Sequence, residues 1–191
     1  VHAVRLSRLR LGDAVAVLGA GPIGLLCLQV VRAAGAGAVY VSEPAPGRAR
    51  AAERLGATRV FDPSVADVVS EVVALTGGLG VPVAFECAAG THSLQQALEM
   101  VRREGQVVVV ALAWENVPVL TVEWVGREVE MKTSYGSEPE DWRISLDLMA
   151  QGKVLADGVV TEECFLPLER IQEAFEGLMR PSQQVQLVVA F

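Results

Sequence analysis

The sequence predicts an α/β protein with a doubly wound parallel sheet of six strands and a helical C-terminal tail. Strand-like and helix-like runs alternate through the first two thirds of the 191 residues, which is the pattern of βαβ units. Hydrophobic residues make up 51% of the chain and aromatic residues only 5%. Ala, Val and Leu therefore carry the apolar content, as is typical of buried parallel strands under helices rich in small residues.

The first strand is predicted over the apolar run Ala14–Leu18. The helix after it spans Pro22–Ala34, because proline suits a first helical turn and Gly35 ends the periodic pattern. The same signals repeat along the chain. They predict strands at Val39–Ser42, Arg59–Phe61, Val81–Glu86, Gln106–Leu112 and Val129–Tyr135, and helices at Pro46–Leu55, Val65–Leu75 and Ser93–Val101.

After Gly136 the regular alternation stops. Ser137 and Glu140 have the spacing of a capping box, which predicts a helix with an apolar stripe of Trp142, Leu146 and Met149. A short strand near Val159, a helix from Pro167 and a last strand at Val185–Val189 follow. We therefore divide the chain into a sheet domain at 1–136 and a tail at 137–191.

Charge and composition exclude several classes of protein. The formal net charge is −7, from 16 Lys and Arg against 23 Asp and Glu, and no basic block is present that would bind nucleic acid. No apolar run reaches the roughly 18 residues of a membrane helix, and no signal peptide opens the chain, so we expect a soluble cytoplasmic protein. Three well-separated cysteines and two histidines argue against both a disulfide framework and a metal site in this chain.

The central motif is Gly19-Ala20-Gly21-Pro22-Ile23-Gly24, with the spacing G-x-G-x-x-G. If a pyrophosphate lies there, Gly19 permits the tight turn, Gly21 lets the backbone approach the phosphates, and Gly24 lets helix and strand pack closely. The phosphates would then meet free N–H groups at the start of the Pro22 helix. The motif gains weight because it directly follows a predicted strand and directly opens a predicted helix.

Glu43 ends the second predicted strand, at the distance from the glycines where an acid can bind the hydroxyl groups of an adenosine ribose. A carboxylate at this position would also repel a 2′-phosphate, which favours NAD over NADP. Arg48 lies five residues further on and could lean toward the ribose or neutralise a phosphate. The alternative is that Glu43 is only a solvated acid at a strand end.

Cys87, Ala88 and Ala89 follow the fourth predicted strand, and Ala111 and Leu112 end the fifth. Both ends point into the crevice where a doubly wound sheet binds its ligands, and small residues there leave room. We interpret Cys87 as a wall of the pocket and not a nucleophile, because no His or Lys stands near it in the sequence. His92 is predicted to face water in a first helical turn, and Trp114, Trp124 and Trp142 are interpreted as packing residues.

Long segments of the chain carry a resemblance to a known family. "LRLGDAVAVLGAGPIGLLCLQVVRAAGAGAVYVSEPAPGRARAAERLGATRVFDP" resembles the coenzyme-binding domain of zinc-dependent medium-chain alcohol dehydrogenases. "LTGGLGVPVAFECAAG", "GQVVVVALA", "LDLMAQGKV" and "FLPLERIQEAFEGL" continue the resemblance in the family's order. Ser42-Glu43-Pro44 looks most like the sorbitol, threonine and butanediol dehydrogenases.

The resemblance implies a Rossmann-type sheet in the order 3-2-1-4-5-6 and an NAD-linked oxidation of a secondary alcohol or polyol. It places the pyrophosphate at Gly19, Gly21, Pro22, Ile23 and Gly24, and the ribose at Glu43 and Arg48. It also implies a homo-oligomer formed through the edge strand near Val129–Tyr135. The nicotinamide end is implied near Cys87, Ala88, Ala111, Leu112, Ser134 and Tyr135.

The chain also departs from the family pattern. The family's catalytic zinc, its ligands and its proton relay belong to an N-terminal domain that should precede Val1, and the tail packs partly on that domain. Hydride transfer from an alkoxide needs this Lewis acid, so we expect the full-length protein to be the dehydrogenase and this chain alone to be inactive. Pro82 stands where the family often has an acid.

Three rival functions remain open from the sequence. A zinc-free quinone or enoyl reductase of the same superfamily more often carries an Ala-Gly-Gly-Val-Gly style of turn. An S-adenosylmethionine-dependent methyltransferase would end its sheet in an antiparallel hairpin. A non-catalytic nucleotide-sensing module would lack a zinc-carrying domain in the complete gene product.

Overall fold

The computed structural model of the chain describes residues 1–178 and 185–190. Its main sheet has six strands in the order β3-β2-β1-β4-β5-β6, and every pairing in it is parallel, which confirms the predicted fold class. The strands are β1 Ala14–Leu18, β2 Ala38–Ser42, β3 Arg59–Phe61, β4 Val81–Glu86, β5 Val101–Val109 and β6 Glu130–Thr133.

Helices cover both faces of this sheet, and two of them lie in the tail. They are α1 His2–Leu6, α2 Pro22–Ala33, α3 Pro46–Arg54, α4 Val68–Leu75, α5 Ser93–Met100, α6 Thr121–Gly126, α7 Pro139–Ala150 and α8 Ile171–Leu178. The two short helices α1 and α6 are absent from the sequence prediction, because five or six residues are too few to show a helical period. None of the helices in the described ranges is long and apolar enough to cross a membrane.

The core lies in two layers because successive residues of a strand face opposite sides of the sheet. On β1, Val15 and Val17 belong to the layer under α2, together with Leu25 of that helix. Ala16 and Leu18 belong to the layer on the other side, with Leu98 of α5. All six side chains are at most 2% exposed, so both layers of the core pack against β1.

The fifth strand differs from its predicted span of Gln106–Leu112. It ends at Val109, because the N–H groups of Val110 and Ala111 both donate to the Glu86 carbonyl and turn the chain away from the sheet. Its start is irregular too: the register of β4 against β5 shifts between Val81 and Val83. Pro82, which has no N–H to donate, sits at that shift, as expected for a proline inside a sheet.

The tail corrects two predictions. The capping box of α7 pairs Glu138 with Asp141, and the helix begins at Pro139, so the predicted pair of Ser137 and Glu140 is wrong. The predicted strand near Val159 is also wrong, because the Val159 and Val160 N–H groups both donate to the Ala156 carbonyl in a turn. A separate two-stranded parallel sheet forms instead from β7 Phe165–Pro167 and β8 Val188–Ala190, the second of which starts three residues later than predicted.

The three tryptophans differ in environment. Trp124 is half-buried, and its indole Nε1–H donates to the Val129 carbonyl at 2.6 Å, so it packs as predicted. Trp114 and Trp142 are 93% and 65% exposed, so neither has the packing role within this chain that the sequence predicted. With Leu146 at 64% and Met149 at 45%, Trp142 forms an exposed apolar stripe on α7.

Candidate functional site

The three glycines of the turn after β1 have different surroundings. Gly19 has a φ of +92°, and a Cβ added to it would lie 3.0 Å from the Ala88 Cα. A Cβ on Gly24 would lie 1.9 Å from the Gly19 carbonyl oxygen. A Cβ on Gly21 would meet nothing within 4 Å. Gly19 and Gly24 are therefore required by the turn itself, whereas Gly21 borders open space that a ligand can enter.

The start of α2 faces this open space with unpaired backbone donors. Gly21 is the N-cap and offers no side chain to the helix, and Pro22 occupies the first helical position. The N–H groups of the next residues, Ile23 and Gly24, have no acceptor earlier in the helix. Together with the positive end of the helix dipole, they make the turn suitable for an anion.

Glu43 lies directly after β2, is 5% exposed and contacts this turn. Its Oε2 accepts the Ala20 N–H at 2.7 Å, and its Oε1 accepts the Ala45 N–H at 2.8 Å. The side chain is therefore not a solvated acid at a strand end: it ties the glycine turn to the start of α3. Each carboxylate oxygen still has a second lone pair, so the contacts leave capacity to accept hydroxyl groups.

A cavity of about 530 Å³ runs along the turn at the carboxyl edge of the sheet. This volume is within the usual range for small-molecule and cofactor sites. The structure brings together in it six of the predicted site residues, namely Gly19, Gly21, Glu43, Arg48, Cys87 and Ala88. Pro63, Thr91 and Gln96 also line the cavity and were not predicted as site residues.

The predicted residues at the far end of the site lie outside this cavity. Leu112 and Tyr135 are 58% and 81% exposed, and Ala111 lies in the segment that has already left the sheet. Ser134 lines a second cavity of about 350 Å³, and so does Ile23, which was predicted to lie in the glycine turn. The structure therefore brings the glycine turn, Glu43, Arg48, Cys87 and Ala88 together and leaves the remaining predicted residues outside this cavity.

Cys87 forms a wall of the larger cavity, as the sequence predicted. A hydrogen bond with the Cys27 thiol and burial raise the pKa of the Cys87 thiol well above its usual range. A thiol in this state is a poor nucleophile because little of it is ionised at neutral pH. The described cysteines are all free.

Glu86, at the end of β4, shapes the loop that carries Cys87 and was missed by sequence reasoning. It is 3% exposed, and its Oε1 accepts the Ala88 and Ala89 N–H groups and the Ser93 hydroxyl at 2.8–2.9 Å. These bonds hold Ala89 at a φ of +53°, which an alanine seldom adopts. The sequence signal that could have identified Glu86 is an acid at the end of a buried strand, followed by small residues and a serine.

His92 lies at the rim of the cavity formed along the glycine turn. It is the N-cap of α5 and not a first-turn residue, and its side chain is exposed, as predicted. The structure therefore supports its solvent-facing character and corrects its position in the helix.

The second cavity contains the buried carboxylate of Asp141, which no local sequence motif predicts. Asp141 of α7 is 2% exposed; it accepts hydrogen bonds from Arg5 Nη1 at 2.6 Å and from the Glu138 N–H at 2.7 Å, and its Oδ2 lies 2.8 Å from His2 Nδ1. Burial acts to raise the pKa of Asp141, but these hydrogen bonds outweigh it and lower the pKa to about 2. The cluster joins α1 to α7 across more than 130 residues of chain.

We expect Asp141→Asn to destabilise the fold by about 1–3 kcal/mol at neutral pH, because the partners of a buried carboxylate lose its charge. The folded pKa lies below the ordinary value of 3.8, so this stabilisation is present above pH 4 and is lost as the pH falls toward 2. Urea denaturation of wild type and Asp141→Asn at pH 7, 4 and 3 measures this stabilisation. The difference between the two midpoints should become smaller as the pH falls.

Asp147→Asn is the control, since Asp147 on the same helix forms an exposed pair with Arg143 that is worth at most about 0.5 kcal/mol. A difference between wild type and Asp141→Asn that stays constant from pH 7 to pH 3 contradicts the charge-based explanation.

Metal binding has no candidate ligands in the described ranges. Among residues 1–178 and 185–190, no group of three His, Cys, Asp or Glu side chains is placed to hold a metal ion. The arrangement at the carboxyl edge can bind an anionic, hydroxyl-bearing ligand.

Comparison with known proteins agrees with this geometry. The (R,R)-butanediol dehydrogenase of Bacillus subtilis is 36% identical over 189 residues, covering 99% of this chain and 54% of that protein. Its crystal structure matches all of this chain with a TM-score of 0.87. The sorbitol dehydrogenase of Bacillus subtilis is 31% identical over 183 residues, covering 94% of this chain and 50% of that protein.

A further solved structure was determined with NADP bound. It comes from Sinorhizobium meliloti 1021, is assigned to the zinc-binding dehydrogenases, and is 32% identical with a TM-score of 0.82, covering 98% of this chain and 54% of that one. The chain thus spans about half the length of the relatives it matches. The model of the zinc-binding dehydrogenase family matches residues 22–151, and the chain belongs to that family.

Proposed function

We propose that the chain binds NAD along the carboxyl edge of its sheet, as the coenzyme-binding part of a dehydrogenase acting on a secondary alcohol or polyol. The observation that carries the proposal is the open space beside Gly21, in a cavity that also contains Glu43 and Arg48. The named activities of the butanediol and sorbitol dehydrogenases support the substrate class.

The pyrophosphate would lie over the turn formed by Gly19, Gly21, Pro22, Ile23 and Gly24. Gly21 allows the phosphate oxygens to approach the backbone, and the N–H groups of Ile23 and Gly24 can donate to them. This arrangement provides an oriented set of donors before any ligand arrives, which lowers the entropic cost of binding.

The adenosine ribose would be held by Glu43 and Arg48. The Glu43 carboxylate is fixed by two backbone N–H groups and can accept the ribose hydroxyls with its remaining lone pairs. A buried carboxylate at this point disfavours the 2′-phosphate of NADP, so we propose NAD as the coenzyme. The NADP found in the relative from Sinorhizobium makes this preference the most informative one to test.

The nicotinamide would extend toward Cys87, Ala88, Ala111, Leu112, Ser134 and Tyr135. When bound, its ring accepts or donates the hydride. Cys87 and Ala88 leave room at the cavity wall, and the raised pKa of Cys87 keeps its thiol neutral next to the ring. The exposed Leu112 and Tyr135 would become covered in a complete site.

Zinc does not fit the described residues, and we derive no step through it. We propose that zinc and the alcohol chemistry belong to the half of the relatives that this chain does not span. In this proposal residues 1–136 are the dinucleotide-binding domain, and the tail at 137–191 packs partly against that other half through the exposed stripe of α7. This chain alone would then bind coenzyme without turning over alcohol.

We also propose that two copies associate through β6. This strand pairs with β5 on one side and lies at the edge of the sheet, where its unpaired backbone groups can join a second copy. The free cysteines fit a reducing compartment, and we place the protein in the cytoplasm.

Calorimetric titration with NADH, NADPH and S-adenosylmethionine tests the proposed function. We expect NADH to bind at least tenfold more tightly than NADPH, and S-adenosylmethionine not to bind. A preference for NADPH would reassign Arg48 as a phosphate ligand, and binding of S-adenosylmethionine alone would replace the dehydrogenase with a methyltransferase.

A further inference from the structure

A third cavity lies at the amino edge of the sheet, opposite the glycine turn. It measures about 500 Å³ and is bordered by residues at the amino ends of neighbouring strands: Asp13 precedes β1, Pro82 lies at the start of β4, and Arg102 lies at the start of β5. Four arginines line it, namely Arg8, Arg10, Arg102 and Arg103. We call it the arginine cavity.

The arginine cavity brings four of the chain's 16 cationic residues together, on a protein with a net charge of −7. Two carboxylates, Asp13 and Glu104, also line it. One oxygen of Asp13 is already engaged, because its Oδ2 accepts the Arg10 backbone N–H at 2.8 Å. The guanidinium groups that can bind a ligand are those that no carboxylate already pairs with.

Two of the four guanidinium groups remain available to a ligand. Arg8 pairs with Glu130, and Arg103 pairs with Glu128, each at 2.5 Å. For Arg10 and Arg102, no ion pair or hydrogen bond of the guanidinium occurs within residues 1–178 and 185–190. Each free guanidinium can bind two oxygens of one phosphate group in a bidentate manner.

The segment that carries Arg102 and Arg103 is held in a defined, strained conformation. Glu104 has a φ of +57°, which a residue with a side chain seldom adopts, and its N–H donates to the Arg127 carbonyl at 2.9 Å. A Cβ on Gly105 would lie 2.7 Å from the Arg102 carbonyl oxygen, so only glycine fits there. A bulge of this kind changes the direction of the side chains next to it.

Arg127 fixes the base of the same segment. Its guanidinium donates to the carbonyls of Leu98, Glu99 and Val101 at 2.5–3.2 Å, which fastens the end of α5 and the start of β5 to the loop before β6. Arg102 and Arg103 therefore project from a rigid support, and less entropy is lost when they bind a ligand.

We propose that the arginine cavity binds a diphosphate group, separate from the coenzyme site. The two unpaired guanidinium groups of Arg10 and Arg102 provide donors for two neighbouring phosphates. The volume of about 500 Å³ accommodates a diphosphate together with an organic group attached to it. This proposal does not depend on coenzyme binding, because the two cavities lie at opposite edges of the sheet.

Titration of the chain with inorganic pyrophosphate at low ionic strength tests the proposal, with four variants compared with wild type. We expect Arg10→Gln/Arg102→Gln to weaken binding at least tenfold, and each single substitution to weaken it about threefold. The charge-matched control Arg32→Gln/Arg54→Gln removes two exposed arginines from the last turns of α2 and α3 and should bind as wild type does. Thermal denaturation checks that all variants fold.

Gly21→Val separates the two sites, because pyrophosphate could also enter the glycine turn. The proposal requires that Gly21→Val keeps the pyrophosphate binding that Arg10→Gln/Arg102→Gln loses. The reverse pattern assigns the ligand to the turn and overturns the proposal. Equal losses in both double arginine variants, or no binding by wild type, overturn it as well.

Discussion

Gly21→Val is expected to weaken NADH binding at least a hundredfold while leaving the fold intact. Gly21 has a φ of −67° and a ψ of −178°, which is extended backbone that valine adopts readily and that the following proline favours. The space beside it is open, so the new side chain meets no protein atom within 4 Å at its Cβ. It would instead fill the volume in which the phosphates approach the backbone. Titration calorimetry measures the loss, and thermal denaturation measures the fold.

Gly24→Ala and Gly126→Ala are the two controls for this experiment. In Gly24→Ala, a Cβ 1.9 Å from the Gly19 carbonyl oxygen forces the turn to open, so the melting temperature itself should fall by several degrees. Gly126 lies in α6 with open space around it, so alanine there should leave NADH binding unchanged and should not lower the melting temperature. If Gly21→Val binds NADH as wild type does, the glycines only shape a turn and the proposed coenzyme site is wrong.

The sheet could be predicted from the sequence because its strands are buried on both faces. Ala14–Leu18 and Val81–Glu86 have the predicted bounds, since each is a short, mostly apolar run enclosed by a glycine or a loop residue. The end of β5 could not be predicted in this way. Val110 to Leu112 are as apolar as the strand itself, and only the hydrogen bonds to the Glu86 carbonyl end it at Val109.

The tail was predicted less well, because its structure depends on contacts far along the chain. The Asp141 cluster joins residues separated by more than 130 positions, and nothing near Asp141 in the sequence identifies His2 or Arg5 as its partners. The same holds for the backbone of Leu155, which exchanges two hydrogen bonds with the Gln29 side chain of α2. The sequence around Val159 predicts a strand, whereas the structure places Val159 in a turn, where its side chain is buried in the core at 4% exposure.

For the candidate site, local spacing identified the residues that follow β1, β2 and β4, and it did not place those that follow β5 and β6. The glycine turn and Glu43 belong to one βαβ unit, whose geometry is nearly fixed by its sequence signals. The positions of Ala111, Leu112 and Tyr135 depend on loops that leave the sheet, where neighbouring elements decide the path. Sequence spacing alone also could not show that Glu43 is buried and doubly hydrogen-bonded.

The buried position of Glu43 means that its substitution should change both coenzyme choice and stability. We expect Glu43→Gln to weaken NADH binding about 10- to 100-fold and to narrow or reverse the preference over NADPH. The neutral amide no longer repels a 2′-phosphate, and it accepts fewer hydrogen bonds from the ribose. Parallel titrations with NADH and NADPH measure the ratio of the two affinities.

The free energy of unfolding should distinguish the structural role of the Glu43 carboxylate from its proposed role in binding the ribose. Glu43→Ala leaves the Ala20 and Ala45 N–H groups without their acceptor, at a cost of about 1–3 kcal/mol for each group that stays buried. Glu43→Gln keeps one acceptor oxygen and turns an NH₂ group toward the other amide, so its loss should be smaller. Urea denaturation of both variants tests this order, with the exposed acid Glu53 of α3 replaced by Gln as a control that changes neither property.

The pair of measurements distinguishes a ligand-binding acid from a structural one. A carboxylate that only ties the turn to α3 would lower the unfolding free energy in both variants and weaken NADH and NADPH equally, because a loosened turn holds both coenzymes less well. A carboxylate that also contacts the ribose changes the ratio of the two affinities, even in Glu43→Gln, where most of the fold is retained. The ratio depends on the group at the 2′ position, which a structural role cannot sense, and it is therefore the quantity that assigns Glu43 to the coenzyme.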